Sequence, residues 1–278
     1  MNTAPTLLAA CALFAAVAPA RAVEAPLPLW EAGVFGGTAV TPAYPGASER
    51  TTRSLALPYL IYRGKVLRAD RSGVGARLLD TERVEFDLGF ALSLPARSSD
   101  VPARRGMPDL GTLVEFGPRL KIKLAEPTRN SRLGLELPLR AVIEARGGLR
   151  RQGATFEPRL VYALQGDQQA WHLDASVGAV LGNAAINDYL YGVSPAFATA
   201  QRPAYAAKSG LMLTRLGLGG SYRLQRDWRA LAFLRYDNYA SVANRASPLL
   251  RQNSGTSAGI SLMWTWQRSD SLARGPDG

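Results

Sequence analysis

Residues 83–94 read RVEFDLGFALSL, and this stretch decides the fold. Val84, Phe86, Leu88, Phe90, Leu92 and Leu94 take the even positions; Arg83, Glu85, Asp87, Gly89, Ala91 and Ser93 take the odd ones. Successive side chains of a strand point to opposite faces. One face is therefore wholly apolar while the other carries Arg83, Glu85 and Asp87. A face of that kind suits hydrocarbon, and its reverse suits a polar interior. Leu88 is expected to face lipid and Asp87 a lumen.

The same alternation recurs along the chain. Val114, Phe116, Pro118, Leu120, Ile122 and Leu124 alternate with Glu115, Gly117, Arg119, Lys121 and Lys123, which puts Leu120 outside and Arg119 inside. Leu133, Leu135, Leu137, Leu139, Ala141 and Ile143 alternate with polar or small residues, Val142 being the exception. Further alternating runs cover 156–165, 171–181, 215–224 and 257–267. These runs are 10 to 14 residues long. Strands of soluble domains average ~5–6 residues, whereas strands that cross a membrane need ~9–11. A soluble β-sandwich would show shorter strands. The expected fold is all-β, an antiparallel transmembrane β-barrel of about twelve strands, with ten as the alternative.

The N-terminal third is less regular. Trp30, Ala32 and Val34 share one face of a strand over 29–40, and Leu55, Leu57, Tyr59 and Ile61 mark a second. Arg63-Gly64-Lys65 reads as a tight turn. The apolar register slips at Gly73 and Gly75 within 66–79, which suggests a bulge or bend. Tyr189 to Val193 reads as a short strand, and 228–239 as a strand apolar in part on both faces. A count of twelve puts 95–110 on the periplasmic side, where turns should be short, unless 66–79 is two strands.

The chain has 278 residues, 33 Lys and Arg against 22 Asp and Glu, and a formal net charge of +11. A 47% hydrophobic content can build a core, which excludes disorder. With His172 the sole histidine and Cys11 the sole cysteine, a His/Cys metal site, a Cys–His nucleophile and a disulfide framework are excluded. No cofactor is expected. Residues 1–22 read as a secretory signal peptide, with the apolar run LLAACALFAAV at 7–17 and a small-x-small cleavage site at Ala20-Arg21-Ala22. Leu8-Ala9-Ala10-Cys11 offers a lipobox as the rival reading. The barrel then occupies 23–268, and 269–278, without an apolar pattern, is expected to be a disordered periplasmic tail.

Candidate chemistry is sparse. His172, Asp174 and Ser176 lie on one side of a strand, but same-face neighbours along a strand are ~6.5–7 Å apart, too far for a Ser-His-Asp relay. They read as a polar lumen stripe. Glu115, Glu136 and Glu157 read as lumen charges matched by Arg119, Arg140 and Arg159 in a network between strands. Gly217, Gly219 and Gly220 precede no helix and make no phosphate loop. Arg104, Arg105, Arg150 and Arg151 read as loop residues able to contact anions such as lipopolysaccharide phosphates. No catalytic, cofactor-binding or metal site is expected, and no nucleic acid.

Eight short pieces run in order through the chain: Trp30-x-x-Gly33, Tyr44-Pro45-Gly46, Tyr62-Arg63-Gly64, Gly106-Met107-Pro108-Asp109-Leu110, Glu115-x-Gly117-Pro118, Phe156-x-Pro158, Tyr191-Gly192-Val193 and Ser247-Pro248. Together they make the sequence resemble the MipA/OmpV family of Gram-negative outer-membrane proteins. It departs from that family at Ala43, where an acidic residue is usual, and in the 12 residues that follow Trp266. The resemblance implies a cell outer-membrane location and a non-catalytic scaffold that links periplasmic murein synthases to a lytic transglycosylase. The alternative is a small-solute channel or permeability determinant. An outer-membrane hydrolase, with His172 as its base, is the third reading. Outer-membrane lipid and lipopolysaccharide are the surrounding partners expected of such a barrel.

Overall fold

An alternating strand cannot satisfy its own N–H and C=O groups, so each needs neighbours on both edges, and closure removes the edges altogether. The computed structural model of the protein describes residues 28–63, 67–70, 73–93 and 95–273. Its strands are β1 (Trp30–Pro42), β2 (Arg50–Arg63), β3 (Leu67–Asp70), β4 (Gly73–Asp80), β5 (Val84–Ser93), β6 (Thr112–Thr128) and β7 (Ser131–Ala145). They continue with β8 (Leu149–Phe156), β9 (Arg159–Gln165), β10 (Trp171–Gly182), β11 (Gly210–Arg223), β12 (Trp228–Asn238) and β13 (Ser254–Arg268). All pairings are antiparallel, and β13 pairs with β1 while β10 pairs with β11, so the sheet closes. β8 and β9 follow one another along β7, divided at Glu157-Pro158. The thirteen segments therefore make a wall of twelve staves.

The wall's strand count settles one open alternative and conceals one difference from the sequence reading. The stretch 66–79 holds two strands, β3 and β4, paired as a short hairpin. Tyr189–Val193 is not a strand. Residues Ala184–Tyr191 form helix α1, started by Asn183, whose side chain accepts from the Ile186 N–H. The extra strand and the lost one cancel. The hairpin reverses the chain once more before β5, which moves 95–110 to the rim opposite the termini. That rim carries the long loops 43–49, 183–209 and 239–253, whereas the other has, among the described residues, the turns 81–83, 129–130, 166–170 and 224–227. Short turns mark the periplasmic side and long loops the extracellular side.

The apolar rows face outward. Leu88, Phe90 and Leu92 on β5, Leu216 and Leu218 on β11, and Ile260 and Leu262 on β13 are all exposed. Trp30, Trp171, Trp228, Trp264 and Trp266, all five of the chain's tryptophans, lie on this face at the periplasmic ends of their strands. Tyr62 and Tyr222 join them, paired with Trp30 and Trp171. Trp228 stacks on Trp264 at 6.0 Å between ring centroids, and Trp264 meets Trp266 edge-on at 6.1 Å. Such an aromatic girdle sits at a membrane–water interface.

Closure extends past the last strand. The expected tail begins at Ser269, but the Ser269 N–H donates to the Trp30 carbonyl, its hydroxyl accepts from the Trp30 N–H, and Leu272 bridges Pro28. Residues 269–272 thus continue the β13–β1 seam, because Leu29 and Trp30 still offer unpaired backbone groups there. The signal-peptide expectation over 1–22 and the end of the tail, 274–278, fall outside the described residues.

Candidate functional site

The charged rows meet inside the barrel. Arg119 of β6 donates from Nε and Nη2 to the two carboxylate oxygens of Asp87 on β5, at 2.9 and 2.7 Å. Lys121 reaches both Glu85 and Asp87, at 2.9 and 3.0 Å. Arg159 binds Glu136 across β9 and β7. Arg140 lies between Glu157 at 2.8 Å and Glu115 at 3.7 Å. Arg215 of β11 joins Glu157 at 3.2 Å to Asp237 of β12 at 2.7 Å. A buried charge without a partner costs several kcal/mol, so these links are what let the polar rows turn inward. The network expected between strands is present, and it draws in Asp87 as the hydrogen-bonded partner of Arg119.

The buried apolar core is elsewhere, at the extracellular mouth. Tyr44, Val101, Leu110, Ile186, Leu190, Tyr191, Val193, Leu249 and Leu250 pack together from the four extracellular loops. Met212, Leu213, Leu113 and Val142 contribute from the lumen ends of β11, β6 and β7. Polar ties bind the loops to one another. The Tyr44 hydroxyl donates to the Leu249 carbonyl at 2.6 Å, and the Ser247 hydroxyl to the Tyr191 carbonyl at 2.7 Å. The Arg202 guanidinium donates to the carbonyls of Ala103 and Arg105, and Asn244 pairs with the Lys208 backbone. Gly46 turns with φ +86°, a conformation that favours glycine, and its carbonyl accepts from the N–H groups of Arg251 and Gln252.

Glu144, 6% exposed, anchors this cap to the wall. Its carboxylate accepts from the Gly111 N–H, the Tyr189 hydroxyl at 3.0 Å and the Gln152 amide at 2.7 Å. Burial, with the hydrogen bond to Glu144, pushes the Tyr189 hydroxyl up to about 12. Burial likewise pushes Tyr44 up to about 12, and it raises Tyr191 further.

Other residues singled out in the sequence find ordinary places. His172 Nε2 and Asp174 Oδ1 lie 3.5 Å apart on the lumen face, and among the described residues no hydrogen bond joins Ser176 to His172. Arg104 is not a free loop cation. It is 4% exposed, stacks over the Tyr44 ring at 5.7 Å and donates to the Leu190 carbonyl. Arg150 and Arg151 belong to β8 rather than a loop and are exposed, as is Arg105. No group of three or more His, Cys, Asp or Glu residues among the described ones is placed to hold a metal. The cap was missed in the sequence, although Val142, apolar on a polar row, lies directly beneath it at 1% exposed.

Four of the eight short sequence pieces converge in this cap. Tyr44-Pro45-Gly46, Gly106–Leu110, Tyr191-Gly192-Val193 and Ser247-Pro248 come from four loops and supply several of the contacts just described. Comparison with solved structures finds similar outer-membrane proteins. A bacterial polysaccharide outer membrane secretin is 9% identical, covering 85% of this chain and 99% of its own, with a TM-score of 0.41. The COG4313 outer membrane channel of Pseudomonas putida F1 is 12% identical, covering 90% of this chain and 100% of its own, also at 0.41. Outer membrane phospholipase A of Escherichia coli is 11% identical over 86% of this chain and 94% of its own, at 0.36. No curated protein sequence matches. The family profile described as MltA-interacting protein MipA matches residues 34–266, nearly the whole barrel, and the chain therefore belongs to the MipA family of outer-membrane proteins.

Proposed function

We propose that the protein is a non-catalytic outer-membrane scaffold that docks periplasmic cell-wall enzymes, a murein-cleaving lytic transglycosylase and murein synthases, at its periplasmic rim. The observation that supports this reading is the asymmetry of the two ends. The extracellular loops gather their apolar residues into a shared core at their rim, while at the other rim 81–83, 129–130 and 224–226 are exposed. At that rim the β6–β7 hairpin runs past the start of β5, which pairs no further than Ile122, and Leu124 through Thr128 are exposed. The family's description as MltA-interacting supports a partner of this class. A small-solute channel fits less well, since a through-path would have to cross the cap. Exposed Arg105, Arg150 and Arg151 near the extracellular rim suit lipopolysaccharide phosphates.

The test is surface plasmon resonance between the folded protein in nanodiscs and a purified lytic transglycosylase from the same cell envelope. Saturable binding, lost when 124–130 is replaced by a two-residue turn, is expected. No binding to the wild-type protein overturns the scaffold reading.

A further inference from the structure

The outer face of the wall carries a charge where β8 reaches the extracellular rim. Val142 and Glu144 of β7 are buried on the inward row, so Ile143 and Ala145 point outward. Register places two rungs on that outer face. One runs Val114–Ile143–Arg151 across β6, β7 and β8; the next, toward the extracellular end, runs Thr112–Ala145–Leu149. Apart from Arg151, the outward residues of β5 to β8 over Val84–Leu92, Thr112–Ile122, Leu135–Ala145 and Leu149–Phe156 carry no charge. Arg151 is exposed, and its guanidinium has no hydrogen bond or ion pair among the described residues. A lipid-facing cation is costly at the midplane of a bilayer and nearly free at head-group level, which is where the end of β8 puts it.

A groove lies beside it. Pro95, Arg97, Asp109, Thr112, Ala145 and Arg146 line a volume of about 280 Å³ between the loop 95–111 and the β7–β8 hairpin. Its frame is fixed from within. Ala96 and Leu110 exchange both backbone hydrogen bonds, at 2.9 and 3.0 Å, and the Gly111 N–H is held by Glu144 and Tyr189. Asp109 is already engaged: Oδ1 accepts from the Ser98 N–H at 2.7 Å, and Arg146 donates to its carbonyl at 2.8 Å and lies 3.5 Å from Oδ2. Arg97 is exposed, and its guanidinium has no partner among the described residues. Ala145, on the groove's wall, is a diagonal neighbour of Arg151; such positions are about 7–8 Å apart, within reach of a long side chain. Over 95–111 and 145–151 the chain has six arginines against Asp100 and Asp109, so the ligand that suits this place is an anion.

We propose that the groove and Arg151 together hold a phosphate group of lipopolysaccharide, the lipid of the outer leaflet. Arg97 and Arg146 meet it from the groove, and Arg151 from the membrane side. Guanidinium groups match phosphate oxygens two at a time, which gives geometry as well as charge. Leu149, 78% exposed on the rung beyond Arg151, adds an apolar contact to the same ligand. A soluble phosphate would suit the same cations, but the position of Arg151 on a lipid-facing row beside Val114 and Ile143 commits the site to a lipid. The inference rests on the lipopolysaccharide contact read above for this rim, and not on the docking of periplasmic enzymes.

Diphosphoryl lipid A is the probe, titrated into the full folded protein in detergent micelles and followed by native mass spectrometry. One saturable molecule is expected. Lipid A stripped of both phosphates should bind at least tenfold more weakly, and equal binding of the two overturns the phosphate assignment. Inorganic phosphate at millimolar concentration should leave the bound lipid in place; displacement shows a site for free phosphate and overturns the lipid one. Arg97→Gln and Arg151→Gln should each weaken diphosphoryl lipid A about tenfold, as loss of one charge-assisted contact implies. Both side chains are exposed, so both variants should keep their heat-modifiable mobility on gels. Lys208→Gln, exposed on the loop between β10 and β11, should bind as wild type. Equal weakening by all three variants shows diffuse attraction to a basic rim and overturns the site, as does unchanged affinity in Arg97→Gln and Arg151→Gln. No binding by the wild type overturns the site and the lipopolysaccharide contact together.

Discussion

Asp87 and Arg119 show what an inward charge demands of its neighbours. They are 5% and 6% exposed and joined by two hydrogen bonds. Removing one member of a buried pair costs about 3–5 kcal/mol, while removing both costs far less. Arg119→Leu is therefore expected to destabilise the barrel strongly, softened by Lys121 at 3.0 Å from Asp87. The double variant Asp87→Leu/Arg119→Leu should recover most of that loss. A cycle of denaturant unfolding in detergent checks this, and simple additivity of the two single changes would refute it. The alternation identified both residues as inward, yet it did not reveal how deeply they are buried. Leu120→Arg, on the lipid face, should cost about 2–4 kcal/mol. The two faces are thus comparably intolerant, for opposite reasons.

The cap tyrosines add a pH dependence at the same scale. Tyr44 and Tyr189 are held neutral to about pH 12, above the ordinary value of 10.0. A group whose folded value is raised contributes stability that is whole below the unfolded value and is lost as pH climbs through the folded one. Cap stability should accordingly hold to about pH 10 and decline between pH 10 and 12. Absorbance titration at the phenolate band should show a late-ionising class of tyrosines. Simultaneous titration of every tyrosine near pH 10 would contradict the burial described here.

Elements with a single unbroken alternation were legible in the sequence, and those doing two jobs were not. β5, β6 and β13 show one apolar face because each lies between lipid and a polar lumen along its length. β2 and β12 blurred the pattern because their inward rows mix apolar and charged residues, Leu55 and Leu57 beside Arg53 on β2 and Leu231 and Phe233 beside Arg229 and Arg235 on β12. The β3–β4 hairpin showed only as a slipped register and as the alternative that 66–79 is two strands, because four residues of β3 are too few to display a period. Helix α1 was missed because its apolar residues, Ile186, Leu190 and Tyr191, sit in a loop whose burial depends on three other loops. The lumen network was legible in residue types but not in its extent, since Asp87, Lys121, Arg215 and Asp237 also belong to it. Two predictions belong to elements. Glu144→Ala should loosen the cap by about 2 kcal/mol, since three donors lose a carboxylate, and limited proteolysis should then cut within 95–111 or 183–209 before the barrel unfolds. Deleting 274–278 should leave assembly intact, whereas deleting 269–278 also removes the Ser269 and Leu272 links to the first strand. The longer deletion should lower the temperature at which the folded band disappears on gels, and identical thermal behaviour of the two truncations would contradict the extended seam.

At the scale of the molecule, the wall, the girdle and the cap describe an outer-membrane barrel whose apolar core is gathered at the extracellular mouth. Its stability is divided accordingly. The wall is held by backbone pairing around a closed ring, and the tertiary core lies in the cap rather than in the barrel's middle. The closure of the mouth is the claim on which the scaffold reading leans most. Planar-bilayer recording of the protein, purified folded from outer membranes, tests it directly. The account predicts no steady conductance from the wild type, and brief openings from Glu144→Ala as the cap loosens. A steady, long-lived conductance from the wild-type protein would contradict it.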